Sequence, residues 1–391
     1  MIKALQAAYP LERFVLLYAA LYAGFGVASP FLPAFVSGRG LSAEELGLVL
    51  GAGTAVRLLT SPLAGRIGDL IQALRIVLVV CTALAACATL GLVPAQGFWI
   101  ILPVMLLQAA ALAPTTVLAD ALALGNASPP AASGRRGFEY GWVRGTGSAA
   151  FIVGTLISGQ AVGAFGLDAI VWSQALLLGA AACAALFVPE IMHDRTVQAA
   201  RAPARGVILL LKIPLFRNLV LVAALILGSH AMHDAFAVIR WQAAGIAPAT
   251  ASVLWSESVA AEVVVFFLVG PALVARFTPA GAIALAAVAG VIRWIVMANS
   301  TEVFVLALVQ PLHGITFALL HLACMRIIAR TVPQGLEGTA QAIYGTVGIS
   351  AATALLTVAS GSLYARFGAQ GFLAMAALCA IALPLTLKLR S

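Results

Sequence analysis

The stretch Gly38–Leu70, GRGLSAEELGLVLGAGTAVRLLTSPLAGRIGDL, contains the pattern that decides the fold. Its central part, residues 44–65, is almost entirely apolar, and Arg57 is the one ionisable side chain between Leu46 and Gly65. A helix needs about 20 apolar residues to cross the hydrocarbon core of a bilayer. The stretch therefore predicts a membrane-spanning helix that ends in a charged connector.

The same pattern recurs along the whole chain. Of its 391 residues, 62% are hydrophobic and 9% are charged, and the mean hydropathy is +1.06. A soluble domain has about a quarter of its residues charged, so the bilayer is the solvent that fits this composition. The apolar runs predict twelve spans at residues 11–37, 44–65, 74–94, 98–124, 138–163, 167–188, 214–240, 248–272, 279–298, 302–329, 338–363 and 369–388.

The basic residues indicate the orientation of these spans. The formal net charge of +8 would suggest nucleic acid as a partner of a soluble protein. Here most Lys and Arg residues fall in connectors on one side, whereas Arg39, Arg240 and Arg366 fall on the other. Cytoplasmic connectors are enriched in Lys and Arg. Both termini are therefore predicted to be cytoplasmic, with the lipid bilayer and not nucleic acid as partner.

The connector 189–213 divides the chain into two halves. It is rich in charged and small residues, and it separates a bundle at 1–188 from a bundle at 214–391. A shift of 205 residues places Gly40 on Gly245 and Gly65 on Gly270. Two repeated halves with a substrate site between them near the midplane are typical of a major class of secondary transporters. The expected fold is an all-α membrane protein of two six-helix bundles.

Two sets of motifs resemble known families. Gly65-x-x-x-Asp69 resembles the gating loop after the second helix of the major facilitator superfamily, although Leu70 and Gln72 replace the usual basic residue and glycine. That resemblance implies the twelve-helix fold. Other phrases resemble the phenylpropionate permease group, close to the oligosaccharide and nucleoside proton symporters, which implies proton coupling. They are His230-Ala-Met-His-Asp, Arg240-Trp-Gln-Ala-Ala-Gly, Leu254-Trp-Ser, Ala261-Glu-Val, Val291-Ile-Arg-Trp, Leu312-His-Gly-Ile-Thr-Phe-Ala and His321-Leu-Ala-Cys-Met-Arg.

Ionisable groups inside a span are costly and are candidates for function by default. In the N-terminal half, Asp120 and Arg144 lie at similar depth on neighbouring spans, so they could neutralise each other. The resemblance to sugar symporters implies that they hold substrate; a structural pair or a cytoplasmic gate is the alternative. Arg57 has no acid at helical spacing, so it is expected to bind an anionic substrate group or to pair with a buried acid such as Asp120.

The C-terminal half contains the candidates for proton coupling. Glu262, Arg293 and His313 are expected to converge near the midplane. Burial favours the protonated form of a carboxylate and a neighbouring arginine favours the ionised form. Glu262 would then carry the proton, Arg293 would displace it, and His313 would relay it or hydrogen-bond substrate, with Glu257 nearby. A static network that fixes helix packing is the alternative.

Further candidates follow from the repeat and from helical spacing. The 205-residue shift places Arg57 on Glu262 and Gln108 on His313, so these positions are expected to face one cavity. His230, His233 and Asp234 share a helix face, which favours a hydrogen-bond network or an outer gate over a metal site. We assign His230 to substrate binding and His233 and Asp234 to gating. The deep aromatic residues expected to line the substrate path are Phe25, Trp255, Phe317 and Tyr344.

The sequence therefore predicts a proton-coupled symporter of a small aromatic carboxylate, such as 3-phenylpropionate, in the cytoplasmic membrane of a bacterium. We expect a monomer without a cofactor or metal, with protons and a small molecule as partners. No Walker, G-x-S-x-G or H-E-x-x-H motif occurs, which argues against an enzyme. A symporter of a neutral sugar or nucleoside, and a proton-driven exporter of drugs or metabolites, remain alternatives.

Overall fold

A computed structural model describes residues 10–127, 137–190 and 204–389, without the side chains of 204 and 205. All regular structure in these ranges is helical, and no strand occurs in them. The helices before the central connector are α1 (Pro10–Ala28), α2 (Leu32–Ser37), α3 (Ala43–Ile71), α4 (Leu74–Gly91), α5 (Phe98–Ala127), α6 (Tyr140–Phe165) and α7 (Asp168–Ala185).

The helices after the connector include several that continue one another. They are α8 (Ala204–Lys212), α9 (Pro214–Gly228), α10 (Ala231–Ala243), α11 (Pro248–Val264), α12 (Gly270–Asn299), α13 (Val303–Val309), α14 (Leu312–Gly314), α15 (Leu320–Thr331), α16 (Glu337–Ile343), α17 (Ala352–Phe367) and α18 (Phe372–Thr386). Three π-helical segments join neighbouring helices: Val265–Val269, Ile315–Leu319 and Tyr344–Ala351.

Ten helical stretches of the described chain are long and apolar enough to cross a membrane. Two of these, Pro248–Asn299 and Glu337–Leu389, contain 52 and 53 residues. At 1.5 Å per residue a straight helix of that length would measure about 80 Å, more than twice the ~30 Å of hydrocarbon. Each also has a backbone break, at Thr278 (φ 62°) and at Gly368 (φ 53°). Both breaks fall where the sequence predicted connectors between spans. The count of twelve spans and the cytoplasmic position of the termini stay predictions.

The described chain forms two compact units. One comprises residues from Met1–Leu41 and Val56–Gln198, and the other comprises Ser42–Ala55 and residues from Ala199–Ser391. The units divide near the connector that the sequence indicated, except that the start of α3 is grouped with the second unit. The division into bundles at 188 and 214 stays a prediction on this basis, and most of its linker lies outside the described residues.

In the first unit, α1 packs against α6 and α7, and α4 packs against α5 and α7. Small residues permit the closest approach: a Cβ on Gly26 would lie 2.1 Å from the carbonyl oxygen of Phe151, and one on Gly154 would lie 2.5 Å from that of Ala23. Membrane helices gain stability from such close backbone packing. The result holds α1 and α6 side by side, which brings their polar residues together.

In the second unit, α12 packs against α18 and α15, and α11 packs against α14. Gly314 permits a close approach of α14 to α11, because a Cβ there would lie 2.6 Å from the carbonyl oxygen of Ala261. Glu262 follows Ala261, and His313 precedes Gly314. The glycine contact therefore brings these two ionisable residues together.

The end of α3 differs from its prediction. Gly65 and Asp69 were expected in a connector, but α3 continues through both residues to Ile71. The turn comes at Gln72, whose φ is 53°, and Ala73 donates its N–H to the carbonyl of Gly68 at 3.1 Å. A left-handed residue at this place is a common helix ending. Gln72 stands at the position where the resembled motif usually has a glycine. A glycine would adopt this positive φ without strain.

Candidate functional site

Arg293 lies at the centre of a polar cluster in the second unit. It is 0% exposed. It donates from Nη1 to Nδ1 of His313 at 3.1 Å, and from Nη2 to Oε1 of Gln310 at 3.0 Å and to Nε2 of His233 at 3.4 Å. His313 Nε2 in turn lies 3.5 Å from Oε2 of Glu262. We call these five residues the Arg293 cluster.

The contacts of Arg293 fix the tautomers of two histidines. Arginine has only donors, so each imidazole nitrogen that contacts it must accept. In a neutral ring, the proton then lies on the other nitrogen: on Nδ1 of His233 and on Nε2 of His313. His233 Nδ1 lies 3.3 Å from Oδ1 of Asp234, and His313 Nε2 lies toward Glu262. The guanidinium is thus flanked by two imidazoles, each backed by a carboxylate.

Exposure increases outward from the arginine. The His313 side chain is 17% exposed and that of Glu262 is 26% exposed, and on the other side that of Asp234 is 55% exposed. Among the described residues no carboxylate forms an ion pair with Arg293 itself. The three residues expected to converge are in one chain of contacts, in which His313 lies between Glu262 and Arg293. A buried charge normally requires a close partner, and here two imidazole nitrogens and an amide oxygen contact it.

Aromatic rings surround the Arg293 cluster. The guanidinium lies 4.6 Å from the Trp294 ring, a cation–π contact. His233 stacks on Trp255 at 5.0 Å, and His313 stacks on Phe317 at 5.6 Å. The His230 ring lies 5.0 Å from that of His313. Trp255, Phe317 and His230, predicted substrate contacts, are thus brought to the same place.

A second polar cluster lies between α1, α5 and α6 in the first unit. Asp120 accepts hydrogen bonds on Oδ1 from Tyr18 and, at 2.8 Å, from Tyr140. Arg144 Nη1 lies 3.4 Å from both carboxylate oxygens and donates to the Tyr22 hydroxyl at 2.5 Å. We call these five residues the Asp120 cluster. The predicted pairing of Asp120 with Arg144 is present, and three tyrosines complete it.

The Asp120 cluster is accessible in part. The side chains of Arg144 and Asp120 are 44% and 30% exposed. Tyr22 stacks with Tyr18 at 5.5 Å and contacts Phe25 edge to face at 5.6 Å, so an aromatic row runs along α1 beside the arginine. The cluster offers a partly exposed cation, hydroxyl groups and aromatic faces together. These groups suit an aromatic carboxylate and also a hydroxylated solute.

The model of the MFS_1 like family matches residues 11–374. The chain belongs to the MFS_1 like family. This member is 33% identical over 366 residues to a protein of Escherichia coli (strain K12) described as "Probable 3-phenylpropionic acid transporter", covering 92% of each chain. The expected family of transporters is therefore confirmed, and the protein is a multi-pass membrane transporter and not an enzyme.

Solved transporter structures share the fold of this MFS_1 like protein. The nucleoside transporter NupG superimposes with a TM-score of 0.83 at 15% identity, covering 98% of this chain and 99% of that one. A bacterial homolog of the human lysosomal transporter Spinster gives 0.75 at 14% identity, over 98% and 97%. The human organic anion transporter MFSD10 gives 0.63 at 16% identity, over 97% and 99%. The predicted major facilitator superfamily fold is confirmed.

The remaining predicted site residues of the MFS_1 like protein lie outside the two clusters. Arg57 has an exposed side chain on α3 and forms no ion pair with any described residue, Asp120 included. Gln108 is buried and donates to Thr89 Oγ1 at 2.7 Å and to Gln174 Oε1 at 3.2 Å, so it joins α4, α5 and α7. Its bonding capacity is directed at neighbouring helices. The roles of both residues stay predictions.

Three further predicted residues have separate surroundings. Glu257 is half-buried on α11, five residues before Glu262. Tyr344 is buried, and its hydroxyl lies 3.3 Å from Nδ1 of His321. Asp69 is exposed at the end of α3. Their assigned roles in coupling, substrate binding and gating stay predictions.

Sequence reasoning missed Gln310 and Tyr140 in this MFS_1 like protein. Helical spacing was the available signal. Gln310 is a polar residue inside a span, three positions before His313, and Tyr140 is four positions before Arg144. Residues three or four apart share a helix face. Tyr18 and Tyr22, which are aromatic candidates from the sequence, have the same spacing on α1.

Proposed function

We propose that the protein is a proton-coupled symporter of a small aromatic carboxylate, such as 3-phenylpropionate, in the cytoplasmic membrane of a bacterium. Its mechanism would be alternating access, as in other transporters built of two repeated halves. The observation that carries the proposed substrate is the 33% identity, over 92% of both chains, to the probable 3-phenylpropionic acid transporter. This degree of likeness extends over nearly all predicted spans.

The Arg293 cluster supports proton coupling. Glu262 is a carboxylate within a span, partly exposed, and its neighbour His313 is held by a fully buried arginine. Such a carboxylate changes its protonation when its positive neighbour or its access to water changes. In this proposal Glu262 carries the proton. Arg293 and His313 determine when the proton is released, and Glu257 lies on the same helix as a neighbouring acid.

The Asp120 cluster supports a contact with the substrate. Arg144 lies 5.5 Å from the centre of the Tyr22 ring, so a cation and an aromatic face stand side by side. The phenyl ring of an aromatic carboxylate could lie against Tyr22 beside this cation. Arg57 and Phe25 are further proposed contacts. Gln108, also a predicted contact, would act indirectly in this proposal. Its hydrogen bonds to Thr89 and Gln174 hold α4, α5 and α7 together.

A neutral solute is a second candidate because of one observation. Asp120 and Arg144 lie among three tyrosine hydroxyls, and paired polar groups of this kind hydrogen-bond sugar or nucleoside hydroxyls well. Replacement of Arg57 would then spare binding, whereas replacement of Asp120 would abolish it. For a carboxylate, loss of an arginine should be the more damaging change.

The test is uptake of radiolabelled 3-phenylpropionate into proteoliposomes, with and without an imposed inward proton gradient. Glu262→Gln is measured beside the wild type, and Glu302→Gln, an exposed glutamate at the start of α13, is the matched control. We expect gradient-driven accumulation in the wild type and the control. Glu262→Gln should exchange substrate across the membrane but lose accumulation.

Each other outcome has a definite meaning. Absence of uptake in the wild type would refute the substrate assignment, and sugars and nucleosides would be tested next. Uptake driven only by an outward gradient would indicate export. Full accumulation by Glu262→Gln would place the transported proton on another group.

A further inference from the structure

His313 presents a donor of fixed direction in the Arg293 cluster. Because Nδ1 accepts from Arg293 at 3.1 Å, the proton of the neutral ring lies on Nε2. Nε2 lies on the partly exposed side, where Oε2 of Glu262 is 3.5 Å away. That separation is at the outer limit of a hydrogen bond. The direction of this N–H donor is therefore fixed by Arg293, and its present acceptor, Glu262, is only weakly hydrogen-bonded.

We propose that Nε2–H of His313 receives the carboxylate of the substrate, which replaces Glu262 at this nitrogen. In the protein without substrate, the carboxylate of Glu262 is then the acceptor for this N–H. Arg293 is a positioning residue, because it fixes the tautomer of His313 and adds a positive charge behind it. This inference rests on the proposed function and names the site at which that function recognises the acid group.

Unused hydrogen-bonding groups support an incoming ligand. Nε of Arg293 is buried without a partner among the described residues, and so is Nε2 of His230, a side chain that is only 5% exposed. Buried polar atoms in native proteins almost always have a partner. Both residues contact His313, one through Nη1 and one through the packed rings. The cluster therefore has hydrogen-bonding capacity that its own residues do not use.

The chemistry around His313 fits an aromatic acid. Phe317 stacks on the imidazole with an interplanar angle of 10°, and it is only partly buried. A phenyl ring joined by a short chain to a carboxylate could lie against Phe317 while the acid reaches Nε2. In contrast, Arg144 already has Asp120 and Tyr22 as partners. Arg293, which is fully buried, has no carboxylate among the described residues as a direct partner.

The test measures binding of radiolabelled 3-phenylpropionate to purified protein in nanodiscs, with 3-phenylpropanol as a neutral competitor. His313→Gln places an amide N–H near the position of Nε2, whereas His313→Asn places its amide near Nδ1. We expect His313→Gln to bind within about tenfold of the wild type. His313→Asn and Arg293→Lys should lose binding by more than tenfold, and 3-phenylpropanol should not compete.

Glu262→Gln tests the displacement directly. Removal of the Glu262 carboxylate should tighten binding several-fold, and Glu302→Gln should leave it unchanged. Weaker or unaltered binding by Glu262→Gln would overturn the proposal. Arg57→Gln or Arg144→Gln that abolishes binding, while His313→Asn retains it, would overturn it too and would place the acid group in the first unit.

A measurement on the wild type avoids variants that fail to fold. Diethyl pyrocarbonate modifies accessible imidazoles, and His313 is more exposed than His230 and His233. Bound 3-phenylpropionate should reduce modification of His313 several-fold, as read by mass spectrometry, whereas 3-phenylpropanol should leave it unchanged. Undiminished modification of His313 at saturation would contradict the proposal. Absence of any binding by the wild type would refute the proposed function as well, so the two failures are distinguishable.

Discussion

At the scale of the residue, the main feature of the second unit is a buried arginine, a group that is costly inside a membrane span. Arg293 is completely buried, and its partners are imidazoles and an amide rather than a carboxylate. Each of those partners matters because an unpaired guanidinium N–H cannot reach water. The energetic consequence can be tested at Gln310, which is fully buried and has no assigned part in transport.

Gln310→Leu should destabilise the protein. The change keeps the volume of the side chain but removes the acceptor 3.0 Å from Nη2 of Arg293. A charged group left without one hydrogen bond costs about 1–3 kcal/mol. The midpoint of thermal unfolding in mild detergent should fall by several degrees. Gln370→Leu, at an exposed residue with a long bond of 3.4 Å, is the control, and an equal loss there would contradict this reasoning.

Tyr18→Phe should cost more stability than Tyr140→Phe. Both hydroxyls donate to the same oxygen of Asp120, but Tyr18 is fully buried and Tyr140 is only half-buried. Water can replace a lost partner only at the accessible site, so we expect about 1–2 kcal/mol for Tyr18 and less for Tyr140. Unfolding of the two variants under the same conditions gives the difference. An equal effect would mean that water reaches both hydroxyls.

The sequence predicted the members of these clusters better than their contacts. Glu262, Arg293 and His313 stood out because charge inside an apolar span is rare. That His313 lies between the other two could not be predicted, because the order depends on how α11, α12 and α14 are rotated. Neutral partners such as Gln310 and Tyr140 carry no such signal. The assignment of Gln108 by the repeat could not account for its bonds to Thr89 and Gln174.

At the scale of the element, glycine contacts and helix endings fix where these residues lie. The π-helical segments Val265–Val269 and Ile315–Leu319 follow Glu262 and His313 within three residues. Such segments are rare and occur often at functional sites. They have no sequence signature that apolar periodicity reveals. The sequence therefore predicted continuous spans here and placed the end of α3 at residue 65, short of Ile71.

Gly314→Ala should abolish gradient-driven uptake. Its Cβ would lie 2.6 Å from the carbonyl oxygen of Ala261, so α14 and α11 must move apart, and His313 and Glu262 move with them. Gly338→Ala is the matched control, because nothing lies within 4 Å of a Cβ there. Proteoliposome uptake compares the two. Normal accumulation by Gly314→Ala would show that coupling does not depend on this contact.

Gln72→Gly should leave stability unchanged or raise it, by up to about 1 kcal/mol. The φ of 53° at Gln72 costs roughly 1–2 kcal/mol for a residue with a Cβ, and the larger chain entropy of glycine offsets part of the gain. The same change at Gln341, an exposed helical residue of α16, should instead lower stability by about 1 kcal/mol. Stability changes of opposite sign for Gln72→Gly and Gln341→Gly, measured by thermal unfolding, would support this explanation. Destabilisation at both sites would refute it.

At the scale of the whole molecule, the sequence was most informative. Composition and span length predicted a polytopic helical membrane protein, and the family and fold confirm it. These properties depend on the average character of long segments, so single errors of a few residues do not matter. Orientation depends on the distribution of Lys and Arg between connectors. The predicted orientation requires that each of the two longest helical stretches crosses the membrane twice, and this can be tested.

Reporter fusions should show that Pro248–Asn299 crosses the membrane twice. A single crossing would keep Thr278 within the bilayer and bring Ser300 to the cytoplasm, whereas two crossings place Thr278 inside and Ser300 outside. Green fluorescent protein folds in the cytoplasm, and alkaline phosphatase is active only outside it. We therefore expect fluorescence from fusions after Thr278 and after Ser391, and phosphatase activity after Ser300. Fluorescence after Ser300 would mean a single crossing, and the chain would then contain fewer than twelve spans.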